Sequence, residues 1–124
     1  MMQQRQATVV HVAEQQPLVF PWGAITWVCN QELDPETAMT FGLVEIGPGQ
    51  KNALHYHPNC EEHLYVLSGE CDHSLDGERY QLSAGSLIRI PEGARHDAVN
   101  RGTEPVRCVI VYSSGDRQTV MVEE

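Results

Sequence analysis

The stretch HYHPNCEEH, residues 55–63, sets three of the chain's six histidines beside two adjacent carboxylates, Glu61 and Glu62. Imidazole nitrogens and carboxylate oxygens are common donors to first-row divalent ions. A metal centre therefore competes here with a solvated polar loop. His55 and His57 are two apart in a segment that reads as extended, so both rings leave the same face, with Cα atoms about 6.5–7 Å apart. From that spacing two imidazoles converge on one ion at bonds of about 2.0–2.2 Å. Tyr56 then points to the opposite face. Pro58 interrupts the ladder, and PNCE reads as a loop. Beyond it Glu62 is in phase with Leu64 and Val66, and Glu61 with His63 and Tyr65. With the Leu64 face turned inward, Glu62 faces the ion and Glu61 faces out.

The elements that must hold these groups are short. β-Branched and aromatic runs at TVVHV (8–12), AITWVC (24–29), MTFGLVEI (39–46), LYVLSG (64–69), SLIRI (86–90), VRCVIVY (106–112) and QTVMV (118–122) predict strands. NQELDPETA (30–38) reads as a polar connection broken by Pro35, and GPG (47–49) ends a strand. HSLDGERYQL (73–82) carries Asp76-Gly77, a strong hairpin signal. Frequent turns without a long helical period predict an all-β barrel or sandwich. Several strands are apolar on both faces, so one face fills the barrel and the other meets a second sheet or a partner subunit.

Two long motifs give this pattern a family. GQKNALHYHPNCEEHLYVLSG, from Gly49 to Gly69, and GSLIRIPEGARHDAVN, from Gly85 to Asn100, resemble the two cupin motifs at each fixed position. In the first, His55, His57 and Glu62 match; in the second, Gly85, Pro91, Gly93, His96 and Asn100 match. The resemblance implies a cupin-type double-stranded β-helix, a jelly-roll barrel of two antiparallel sheets, with the barrel over residues 37–124. Residues 1–36 are expected to supply N-terminal strands and a polar connection packed on the barrel or on a partner subunit, all within one domain. It also implies metal ligation by His55, His57, Glu62 and His96, the last delivered from a separate strand by the PEG turn. One divalent transition metal per chain is expected: Mn, Fe, Ni, Co, Cu or Zn. On an octahedral ion four protein ligands leave two adjacent positions, which suits catalysis better than a closed structural site.

The expected function is a metal-dependent enzyme acting on a small organic molecule chelated to a mononuclear ion, by dioxygenase or lyase/isomerase chemistry. Glu62 is the candidate proton acceptor. The alternative is a non-catalytic ligand-binding or sensing cupin. A similar LHYH run occurs in the dimethylsulfoniopropionate lyases among small cupins, where a tyrosine follows the acid by two positions; here that position is Leu64. Resemblance to small cupins also implies a homodimer.

Other residues receive plainer expectations. His11, His63 and His73 read as strand-surface or packing residues, and Cys60 as an inert loop thiol. Trp22 and Trp27 read as core or interface anchors, Arg89 and Arg95 as surface charges. Glu45 fits a pocket or an exposed face equally. The net charge of −9 and the lack of a basic cluster argue against nucleic acid and anionic membranes. No secretory signal or membrane-length apolar run is visible. No Cys-x-x-Cys pair occurs among the four cysteines. They read as reduced, mostly buried residues of a cytoplasmic protein.

Overall fold

The structure, a computed structural model, describes residues 5–123; the first four residues of the expected 1–36 unit and Glu124 lie outside the described residues. After a 3-10 turn at Val12–Glu14 come β1 (Leu18–Phe20), β2 (Gly23–Cys29), β3 (Thr40–Ile46), β4 (His55–Tyr56), β5 (Glu62–Ser68) and β6 (Glu70–Leu75). They are followed by β7 (Glu78–Ser83), β8 (Leu87–Ile90), β9 (His96–Val99), β10 (Val106–Tyr112) and β11 (Val120–Met121). Two antiparallel sheets face each other, one ordered β1-β2-β3-β10-β5-β8 and the other β11-β4-β9-β6-β7. This is the expected all-β jelly roll.

Alternation along the strands explains why the sheets stack. On β5 Glu62, Leu64 and Val66 are buried while His63, Tyr65 and Leu67 are exposed. On β10 Val106, Cys108, Ile110 and Tyr112 point in. Val44, Ile46, Ile88 and Ile90 complete the first sheet's contribution, and Cys71, Leu82 and Ala98 come from the second. Each fully buried Val, Ile or Leu contributes about 1.5–3 kcal/mol, so the inner faces hold the barrel closed. Glu45 shares the outward phase of Phe41 and Leu43 and lies 3.6 Å from Arg107, which settles it on the exposed face.

Two turns depend on left-handed backbone. Asp76 and Gly77, at φ 48° and 87°, join β6 to β7 as a two-residue hairpin. Gly69, at φ 83°, lets the chain pass from β5 to β6, and a Cβ there would meet the Pro105 carbonyl oxygen at 2.7 Å. Asn100, the last residue of the second motif, is buried and donates to the carbonyls of Ile46 and Glu104 at 3.0 and 2.8 Å, while accepting from Gly102 N–H at 2.9 Å. Its role is to pin the β9–β10 connection.

The strand expected at 8–12 does not form. Those residues lie outside both sheets, exposed except for the half-buried Val10, and their local bonds are those of a capped turn. His11 Nδ1 accepts from Ala13 N–H at 3.0 Å, and the Glu14 carboxylate accepts from His11 N–H at 3.1 Å. β-Branched composition gives a strand only where a neighbouring strand accepts the ladder.

The segment after β10 folds back over one mouth of the barrel. The Asn59 side chain fastens it, donating to the Asp116 carbonyl at 2.8 Å and accepting from Gln118 N–H at 3.0 Å. β11 then pairs with β4, Val120 opposite Tyr56 and Met121 opposite His55.

Candidate metal centre

Register brings the four motif residues together. His55 on β4 sits directly opposite His96 on β9. Glu62 opens β5 opposite Tyr112 of β10. His57 follows β4, with its ring centroid 5.0 Å from that of His55 and 5.1 Å from that of His96. One ligand atom from each of His55, His57, Glu62 and His96 lies within 4.8 Å of the others. His57, Glu62 and His96 are buried, and His55 is half-buried.

Each imidazole is oriented by backbone. The Nδ1–H of His55 donates to the Ala53 carbonyl at 2.7 Å, that of His57 to Gln118 at 2.9 Å, and that of His96 to Ala94 at 2.9 Å. Thr119 Oγ1 also lies 3.2 Å from His57 Nδ1. A neutral imidazole whose Nδ1 carries the proton presents a bare Nε2 lone pair. Yet Nε2 of His57 and of His96 lie 3.2 and 3.1 Å from the same oxygen, Glu62 Oε1. Lone pairs aimed at a carboxylate repel unless a cation stands among them. The buried Nε2 of His57 indeed has no hydrogen-bond partner among the described residues. The donor set therefore fits a divalent ion.

Without that ion, a proton serves on His96. Burial lowers the affinity of His96 for a proton, but the bond and charge of Glu62 outweigh it and raise the group above its usual range. Burial likewise opposes ionisation of Glu62, and the adjoining His57 and His96 reverse this, holding the carboxyl far below the usual range. His55 is lowered to about 4 by burial and by the neighbouring His96. Burial and the Glu62 charge push Tyr112 well above its ordinary value, so its hydroxyl stays protonated and bonds Glu62.

The centre opens on a cavity of about 330 Å³. Its walls include Phe20, Trp22, Ile25, Ile110 and Met121, and its polar groups include Asn52, His73, Tyr112 and Arg117. Phe20 and Trp22 stack in parallel with centroids 5.1 Å apart. Trp22 thus lines the cavity, while Trp27 packs edge-on against Tyr112 at 6.1 Å.

The remaining candidates sort by strand phase. Glu61 faces out, accepting from Nε–H and Nη2–H of Arg89 at 3.0 Å each and bonded to His63 at 2.8 Å. Tyr65 is exposed, and Tyr56 lies under Arg95 at 5.8 Å. His11 stays on the surface. Cys60 is buried with its thiol pushed up by burial, and burial also raises Cys71 to about 11 and Cys108 to about 12, as befits inert thiols. Sequence reasoning missed three groups. His73 is buried, stacks parallel to His96 at 5.8 Å, and lines the cavity. Its phase with Cys71 was the available signal. Tyr112 shares the inward phase of Cys108 and Ile110 and was equally legible. Arg117 lies in a loop, where no periodicity points to it.

Comparison with known proteins agrees with this fold. A family model described as Cupin domain matches residues 42–112. The chain is 39% identical over 77 residues to Polyketide synthase CurC of Streptomyces cyaneus, covering 62% of the chain and 50% of that protein. It is 41% identical over 54 residues to Quercetin 2,3-dioxygenase of Bacillus subtilis, covering 44% of the chain and 16% of that protein. Its fold superposes on Lactobacillus farciminis oxalate decarboxylase in a formate complex with a TM-score of 0.83 and 25% identity, over 90% of the chain and 35% of that structure. The chain thus spans half or less of the length of each of these proteins.

Proposed function

The chain belongs to the cupin family, and from that premise we propose a metal-dependent enzyme acting on a small organic molecule bound beside a mononuclear divalent ion. The supporting observation is the carbonyl-fixed set of imidazoles turned on one carboxylate, at the wall of an apolar cavity. His55, His57, Glu62 and His96 are the proposed ligands of one ion per chain: Mn, Fe, Co, Ni, Cu or Zn. When bound, the ion supplies Lewis-acid polarisation of a substrate oxygen.

The chain's own residues prepare the setting for that chemistry. Glu62 stays ionised and is the proposed proton acceptor; Tyr112 donates a hydrogen bond to it. The Phe20, Trp22 and Ile110 walls exclude water and strengthen each electrostatic contact inside. Dioxygenase or lyase/isomerase chemistry is the proposed reaction class. Likeness to a quercetin dioxygenase supports the first branch, and likeness to an oxalate decarboxylase the second. Residues 1–36 are proposed as a unit packed on the barrel of residues 37–124, which the pairing of β2 with β3 supports. A homodimer is proposed from the apolar outer face of the larger sheet. No helix among the described residues is long and apolar enough to cross a membrane, and four unpaired cysteines support a cytoplasmic setting.

Metal analysis of protein purified without added metal tests the core of this reading. About one first-row ion per chain is expected; substoichiometric metal that cannot be restored by dialysis against Mn, Fe, Co, Ni, Cu or Zn would sink it. Oxygen uptake with catechols, flavonols and keto acids then separates the two reaction classes.

A further inference from the structure

Arg117 stands at the cavity wall with His55, Glu62 and Tyr112. Its guanidinium lies 4.5 Å from the Trp27 ring centroid and 5.2 Å from that of Tyr112. Nη1 donates to Thr119 Oγ1 at 2.7 Å. These contacts fix the cation yet use little of its donor capacity, because a guanidinium offers five N–H groups in a planar fork. Four of the other arginines, Arg79, Arg89, Arg101 and Arg107, each sit beside a carboxylate. Among the described residues none lies within ion-pair distance of Arg117. Among the described residues Arg5 and Arg95 also lack an ion pair, but Arg117 is the arginine that lines the cavity.

The charge balance of the cavity points the same way. Among the described residues its one lining carboxylate is Glu62, which His57, His96 and Tyr112 already engage. Whatever cation balances Glu62, the positive charge of Arg117 is left over. Most of the cavity's other walls are aromatic and aliphatic, with the stacked Phe20–Trp22 pair among them. A charge-assisted pair formed against such walls is stronger than one in water.

We infer that the cavity receives an aromatic or otherwise apolar acid whose anionic group pairs with Arg117. This names the substrate class of the proposed site and rests on that reading only in taking the cavity as the place where the substrate binds.

The test compares 2-naphthoate with its neutral counterpart 2-naphthamide, followed by calorimetry or by quenching of tryptophan fluorescence. Both metal-free protein, dialysed against chelator, and zinc-loaded protein are titrated. The acid is expected to bind about tenfold tighter than the amide in both forms. Arg117→Gln should bring that ratio close to one without changing metal content, and Arg117→Lys should keep a several-fold preference. Circular dichroism checks that each variant is folded; if the Gln variant is not, the wild-type ratio and the Lys variant decide. Equal binding of acid and amide by metal-free wild type, or an unchanged ratio in Arg117→Gln, overturns the inference. A preference seen only with zinc also overturns it and leaves the metalloprotein reading standing. Failure to take up zinc with the acid preference intact sinks that reading and leaves this one.

Discussion

Glu62 carries the most at the scale of single residues, because two imidazoles and a tyrosine hydroxyl converge on it. Glu62→Gln keeps the shape and removes the charge that balances a cation. Metal affinity should fall at least about tenfold while the β-rich circular dichroism persists; inductively coupled plasma analysis after dialysis reads the loss. A second prediction concerns acid. In metal-free protein burial lowers both His55 and His73 to about 4. A histidine depressed in the folded state keeps its full contribution above the ordinary value of about 6.5 and loses it as pH falls toward 4. The melting temperature should therefore drop on the order of 10 °C across that window, and His73→Phe should flatten part of the slope. His96 has the opposite sign. Its pKa is raised, so its contribution is complete below the ordinary value and fades as pH climbs through the folded one. A bound cation takes over from that proton, so the stabilisation gained on adding metal should grow as pH rises from about 6 to about 8. Thermal melts with and without metal check both.

At the scale of elements, two glycine turns separate backbone strain from steric conflict. A side chain at position 77 meets open space and suffers only its positive φ, so Gly77→Ala should cost about 1 kcal/mol. Position 69 adds a clash with the Pro105 carbonyl, and Gly69→Ala should cost several times that of Gly77→Ala in urea melts. The turn at 76–77 was readable from its dipeptide, and the inward phase of Glu62 from the alternation of Leu64 and Val66. Both signals are local, and the period of two carries them. What could not be read depends on partners distant in sequence. Residues 8–12 have strand composition but no strand beside them. His73 read as a strand-surface or packing residue, and the choice between the two is decided by β9, which packs beside it and brings His96 onto its ring. Arg117 gained its meaning from Trp27 and Tyr112, which only the fold brings near.

For the whole molecule, the outer face of the larger sheet is the feature without an internal explanation. Phe41, Tyr65, Leu67 and Leu87 are 38–54% exposed, and strand register puts Tyr65 beside both Leu87 and Val109. A contiguous apolar face of this kind suits a self-complementary contact between two copies. Light scattering should give twice the chain mass of 13.9 kDa. Leu67→Glu should shift the protein toward a single chain without loss of metal. A wild-type mass of one chain would remove the dimer.

The side chain of Asn59 fastens the segment after β10, and Gln118 within that segment holds the His57 ring. The orientation of one candidate ligand and the order of this late stretch of chain are thus a single equilibrium. Any occupant that favours the seated ring must favour the seated segment by the same free energy. Loading the centre should slow amide exchange at residues 116–122, on the rim of the barrel, although none of them is a candidate ligand. The last strand then acts as a reporter on an ion it does not touch.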